Sequence, residues 1–189
     1  MKHARGTIVL LLTLLAGFAW ELITDSTGND AALLRLGALP DSGQLDGQFW
    51  RLATYSFLHF NSAHLLINAL LLLWVGRFVE RGIGTPRFGA IYSFSVLTSA
   101  ALILLFHYWH PKTGATVGAS GGIFGLLGAA LLIAYRLRSD RVRKWLWLAL
   151  IIGFAVSFLP NISLSGHLGG LIGGISLAFV LMRPKSSES

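Results

Sequence analysis

Cysteine is absent from these 189 residues, which removes disulfide bonds, thiolate metal sites and a cysteine nucleophile together. Charge is scarce as well. Asp, Glu, Lys and Arg supply 12% of the chain against 54% hydrophobic residues, about half the charged share of an ordinary soluble domain. No acidic residue lies between Arg81 and Ser139, or between Arg141 and Ser187, so few carboxylates are placed for acid-base or metal chemistry. No His-Glu-x-x-His string and no phosphate-cradling glycine loop occurs, which argues against a zinc protease and an ATP-driven pump. Tandem repeats and low-complexity stretches are also missing. What remains is apolar, with a mean hydropathy of +0.67. The composition predicts an all-α, polytopic membrane protein.

A helix needs about 20 residues to cross a bilayer. Apolar runs with few charges predict six spans, at about 6 to 24, 63 to 79, 87 to 109, 118 to 135, 144 to 159 and 164 to 182. Together with their loops they make one transmembrane domain over 1–189 and leave no room for a second folded domain. The first run follows Lys2 and Arg5 but is long and lacks a small-x-small cleavage site before Glu21; it reads as an uncleaved span. The longest connection, about 25 to 61, carries Leu33, Leu34, Leu36, Leu39, Phe49 and Trp50 and is expected to lie partly in the membrane interface.

The formal net charge of +7 is explained by topology. Lys2, Arg5, Arg77, Arg81, Arg87, Arg136, Arg138, Arg141, Arg143, Lys144, Arg183 and Lys185 fall on one set of alternate loops and tails. Only Arg35, Arg51 and Lys112 fall on the other. The positive-inside rule then places both termini in the cytoplasm, in agreement with an even number of spans. Nucleic acid is not an expected partner; the lipid bilayer is.

Polar groups inside spans are costly, so each is a candidate site. His64 and Asn68 are four apart and share one face of span two. Ser120 lies in Gly118-Ala119-Ser120-Gly121-Gly122, and His167 in Gly166-His167-Leu168-Gly169-Gly170. Spans two, four and six all enter from the outer side, so the four groups are expected at one depth near that face. Gly121 and Gly125, and Gly166, Gly170 and Gly174, are spaced at four, the small-residue pattern of closely packed membrane helices. That packing would carry His167 toward Ser120, where an imidazole can take the proton of a weakly nucleophilic hydroxyl. His64, Asn68 and the Ser120 backbone N–H, with Gly118 and Gly121 shaping the loop, are candidates for an oxyanion site. Asp25, Asp30, Asp41 and Asp46 have no spacing that points at His167, so a Ser-His dyad is expected rather than a triad.

Blander readings exist for each residue taken singly. Serine and glycine pack membrane helices, a lone histidine is often a hydrogen-bonded structural group, and Asn68 could merely bridge helices. Convergence at one depth weighs against all of them at once. Glu80 is expected in an interfacial ion network with Arg77 and Arg81, His107 and His110 as an interfacial pair rather than metal ligands, and His59 as a loop-packing residue. Trp109, Trp145 and Trp147 fit an interfacial belt. No metal or other cofactor is expected.

In order along the chain, Trp50-Arg51, His64-x-x-x-Asn68, Gly76-x-x-x-Glu80-x-x-x-Gly84, Gly118-Ala119-Ser120-Gly121 and His167-x-x-Gly170-x-x-x-Gly174 resemble the rhomboid intramembrane serine proteases, over about Leu33 to Ala178. The resemblance implies a six-helix core, Ser120 as nucleophile, His167 as general base and then acid, and oxyanion donors from His64, Asn68 and the Ser120 backbone. It makes Trp50-Arg51 and the Gly76 to Gly84 segment structural. Members often carry a tyrosine four residues after the serine, stacked on the histidine; here Phe124 stands there, keeping the stack without the hydroxyl. The expected function is cleavage of single-span membrane proteins near the extracytoplasmic face through an acyl-enzyme. A multi-pass bacterial plasma-membrane protein is the expected setting. The segment Leu159-Pro160-Asn161-Ile162-Ser163, with the short fifth span, is a candidate lateral gate. A non-proteolytic binder of transmembrane clients would have lost Ser120 or His167, and a solute transporter would place its polar groups at the midplane.

Overall fold

A computed structural model describes residues 4–159 and 162–182. Its helices are α1 (Arg5–Ile23), α2 (Asp30–Leu36), α3 (Arg51–Thr54), α4 (Ser62–Leu71), α5 (Arg77–Ile83), α6 (Thr85–Trp109), α7 (Ser120–Arg136), α8 (Asp140–Val156) and α9 (Leu164–Leu181). A π-helical turn, Leu72–Gly76, joins α4 to α5 without a break. Two strands, β1 (Leu39–Pro40) and β2 (Ala115–Thr116), pair antiparallel. Long helices overlap each of the six predicted apolar runs, although α8 begins at Asp140 and ends at Val156 against the expected 144 to 159. Among the described residues, four stretches are long and apolar enough to cross a membrane: α1, Ser62–Ile83, α6 and α9; α7 is apolar but has 17 residues. Pro160 and Asn161 of the candidate gate, and Lys2, Arg183 and Lys185 of the tails, lie outside the described residues.

Local chemistry sets the helix ends. The Asn61 side chain accepts the His64 N–H at 2.8 Å and so opens α4, and the Ser163 hydroxyl accepts the Gly166 N–H at 3.1 Å and opens α9. Pro86 sits in the first turn of α6, where its missing N–H has no intrahelical partner to lose.

α7 is the most enclosed element, with every side chain from Gly121 to Leu131 buried. Around it lie α6, α9 and α8, while α1 and α8 bury few side chains of their own. α9 meets α7 along Gly170 and Gly174. A Cβ on Gly170 would run into the Gly121 backbone, and one on Gly174 into the Gly125 backbone. The face differs from the expectation at one glycine. Gly166 packs on Ile103 of α6, and Gly169 and Gly173 press on Thr98 of the same helix. At 100° per residue, positions 166, 169 and 173 drift onto the α6 side while 170 and 174 stay toward α7. Helix α9 is thus small on two faces, and both neighbours approach closely.

Glu80 departs from the expected ion network. Its carboxylate accepts the Gly6 N–H and Thr7 N–H, each at 2.7 Å, the Thr7 hydroxyl at 2.7 Å and the Thr85 hydroxyl at 2.6 Å. Among the described residues it forms no ion pair with Arg77 or Arg81. The reason is supply and demand at a helix start: the first N–H groups of α1 have no intrahelical partner, no side chain of α1 caps them, and a carboxylate at the positive end of the helix is the strongest acceptor available. Glu80→Ala is expected to destabilise the fold by at least about 3 kcal/mol, since charge-assisted bonds are lost and buried donors stranded. Glu80→Gln should recover part of it. A denaturation midpoint unchanged in Glu80→Ala would remove this account.

At the other end, the long connection is tied down rather than loose. The Arg51 guanidinium donates to the carbonyls of Leu34 at 2.7 Å and Ala38 at 2.6 Å and to the Gln48 side chain. Asp41 is buried, accepts the Thr116 hydroxyl at 2.6 Å, and lies 3.3 Å from His107 and 3.5 Å from Lys112. His107 therefore faces Asp41 at the end of α6. Leu33 and Leu39 are buried in the fold, whereas Phe49 and Trp50 are exposed. The strand pair joins this connection to the segment that leads directly into Ser120.

Candidate active site

Ser120 is the first residue of α7, and its position follows from the turn before it. Gly118 has φ +131°, a region open to glycine, and a Cβ there would meet the His64 ring at 2.7 Å. Its N–H donates to the Tyr55 carbonyl at 3.0 Å, and the Tyr55 hydroxyl donates to the Val96 carbonyl at 3.0 Å, so the turn rests on a buried tyrosine. The first intrahelical bond of α7 runs from the Ile123 N–H to the Ala119 carbonyl at 3.1 Å. The N–H groups of Ser120, Gly121 and Gly122 precede that ladder, at the positive end of the helix.

His167 lies in the first turns of α9 and is buried, whereas Ser120 is only half-buried. The imidazole Nε2 stands 2.9 Å from Ser120 Oγ. Its ring stacks on Phe124, with centroids 4.0 Å apart and planes 8° from parallel. Phe124 in turn meets Phe154 edge-on at 5.2 Å and fills the space that a Cβ on Gly153 would need. The second ring nitrogen, Nδ1, is 2.6 Å from the hydroxyl of buried Ser157. Sequence reasoning missed Ser157. It sits at the end of α8, ten residues before His167, amid apolar neighbours, and only the approach of α8 to α9 brings it to the ring.

His64 stands against Gly118, half-buried, with its ring 5.1 Å from that of His59 in a T-shaped contact. His59 is more than loop packing: it is fully buried and its backbone N–H donates to Glu21 at 2.8 Å. Burial, with His64 beside it, pushes the His59 imidazole down to about 3, so a neutral ring supports His64 from behind. Asn68 follows one turn along α4, about 6 Å further by helical rise. It is buried, and its amide nitrogen has no hydrogen-bond partner among the described residues. Ser120, His167 and Phe124 are thus brought into direct contact, His64 stands against Gly118 two residues before Ser120, and Asn68 lies one turn beyond His64. Among the described residues no group of three or more His, Asp or Glu is placed to hold a metal ion.

A model of the Rhomboid domain matches residues 46–184. The chain belongs to the rhomboid family. It is 39% identical over 186 residues to the Rhomboid protease GluP of Bacillus subtilis, covering 95% of this chain and 35% of that protein. It is 32% identical over 198 residues to RHOMBOID-like protein 5 of Arabidopsis thaliana, covering 96% and 61%, and 29% identical over 153 residues to Rhomboid-like protease 3 of Toxoplasma gondii, covering 79% and 58%. The chain therefore spans between about a third and three fifths of the length of these relatives. All five family motifs fall in the matched region, and the rhomboid bundle is all-α and membrane-embedded.

Proposed function

We propose that this rhomboid chain is a serine endopeptidase that cleaves single-span membrane proteins within or beside their transmembrane segment, near the extracytoplasmic face. Ser120 Oγ attacks the scissile carbonyl as His167 Nε2 takes its proton. The tetrahedral oxyanion is held by His64, the free Asn68 amide and the N–H of Ser120 at the start of α7. His167 then gives the proton to the leaving amine, leaving an acyl ester on Ser120. A water, deprotonated by His167, attacks that ester and releases a carboxylate and the free serine. No cofactor takes part. A lipid-embedded helix hides its carbonyls in its own hydrogen bonds, so favoured substrates carry small or helix-breaking residues near the cut. The setting proposed is a bacterial plasma membrane, with residues 1–189 acting as one six-span domain and both termini in the cytoplasm. The clustering of cations on alternate connections supports that orientation.

The observation that carries the reading is the 2.9 Å contact between His167 Nε2 and Ser120 Oγ at a helix start, in a chain whose relatives include proteins named as proteases. The test is incubation in liposomes with a labelled single-span substrate, followed by mass measurement of both fragments. A single cut near the outer boundary is expected. An intact substrate, together with no labelling of Ser120 by a fluorophosphonate, would overturn the proposal. Gly118→Ala should lower kcat on the order of 10²-fold, the scale of one lost oxyanion donor, because its Cβ displaces His64 and strains the turn. Unchanged kcat in that variant would separate His64 from the chemistry.

A further inference from the structure

Three polar atoms form a short chain beyond the Ser120–His167 pair. Ser157 Oγ lies 2.6 Å from His167 Nδ1 and 2.7 Å from the carbonyl oxygen of Gly153. A hydroxyl has one proton and two lone pairs, so it can donate to one of these two neighbours only. The carbonyl has the stronger claim. Gly153 lies in the last turn of α8, where the N–H of Ser157 turns away to the Phe154 carbonyl at 3.1 Å and those of Phe158 and Leu159 go to Ala155 and Val156. The regular i+4 partner of the Gly153 carbonyl is therefore lost, and the Ser157 hydroxyl replaces it. An acceptor can share a lone pair with a ring N–H but cannot donate to it, whereas a carbonyl left unpaired in an apolar setting is costly.

The geometry points to Ser157 as a positioning residue that fixes the tautomer of His167. With its own proton committed to Gly153, Ser157 Oγ offers a lone pair, and neutral His167 must carry its hydrogen on Nδ1 to meet it. Nε2 is then bare and faces Ser120 Oγ at 2.9 Å, the state a general base requires. When the imidazolium forms, the same oxygen accepts its Nδ1–H, a charge-assisted bond. Ser157 thus takes the orienting part that a carboxylate plays in a triad, without bringing a charge into the bundle, and the scarcity of carboxylates is accommodated. Phe124 holds the ring plane and Ser157 its rotation about that plane.

The inference rests on the proposed dyad, and the experiment separates the two. Wild type, Ser157→Ala, Ser157→Thr, Ser120→Ala and His167→Ala are compared for cleavage of a labelled single-span substrate. In parallel, ¹⁵N-histidine-labelled protein is observed by NMR, with the His167 signals identified by their loss in His167→Ala. Ser157→Ala should lower kcat about tenfold, the scale of one net hydrogen bond, with KM unchanged. It should also move the His167 proton from Nδ1 toward Nε2. Ser157→Thr keeps a hydroxyl able to reach the i−4 carbonyl and should restore both. A proton found on Nε2 in the wild type overturns the inference. So does a Ser157→Ala variant with wild-type kcat or an unshifted tautomer, while Ser120→Ala and His167→Ala are dead. Cleavage surviving in His167→Ala would instead overturn the dyad itself.

Discussion

Ser120→Ala is expected to lower kcat for a single-span substrate by about 10⁴-fold or more, and His167→Ala to match it, with substrate affinity changed by less than about twofold. The size follows from the division of labour at the site. In the proposed mechanism no acyl-enzyme forms without the hydroxyl, and without Nε2 the hydroxyl stays a weak nucleophile. Because the two act as a unit, the double variant should be no slower than either single one. Binding should survive, because in the proposed mechanism these two atoms act on the scissile carbonyl alone. The measurement is single-turnover cleavage beside equilibrium binding of the same substrate to each variant. Either variant keeping more than a tenth of the wild-type rate would sink the assignment.

Gly170→Val should cost more than about 3 kcal/mol and abolish cleavage. A Cβ at this position would run into the carbonyl and Cα of Gly121, which are backbone atoms and cannot rotate aside. Relief requires α9 to move off α7, losing the close backbone approach that membrane helices rely on in the absence of a hydrophobic drive between them. Overpacking of this kind costs about 1 to 3 kcal/mol, occasionally more, and the branched side chain adds two further methyls. Catalysis fails by the same movement, since Gly121 adjoins Ser120 and Gly170 lies one turn after His167. Gly89→Ala is the matched control. Nothing lies within 4 Å of its added carbon, and its stability should not fall. A Gly170→Val protein as stable in detergent denaturation as Gly89→Ala would refute this picture of the α7–α9 contact.

The helices were legible in the sequence because lipid imposes a length and a composition on each segment that spans it. The α6 run expected from 87 to 109 is observed as Thr85–Trp109. The meeting of α7 and α9 was legible from glycines four apart, because a helical face repeats at that interval. The second small face of α9 was not: spacing at four groups Gly166 with Gly170 and Gly174, and only the position of α6 sorts it with Gly169 and Gly173. The contacts of Ser157 and Glu80 were not legible for a related reason. Their partners are ten and more than seventy residues away, and a lone serine or glutamate carries no periodic signal that names a distant partner. The Arg51 clamp and the short strand pair depend likewise on carbonyl groups, which every residue has and no sequence distinguishes.

The four bonds into Glu80 also bear on how the protein is made. The amide groups that open α1 leave the ribosome 73 residues ahead of the carboxylate that satisfies them. At about 5 to 20 residues per second, that is a wait of roughly 4 to 15 seconds, with the first helix already at the insertion machinery. During that interval its leading end must borrow water, lipid headgroups or a chaperone as acceptor. Assembly is therefore ordered: the opening segment can be threaded early, but it is locked only after the polypeptide has turned back and delivered Glu80 and Thr85 to it.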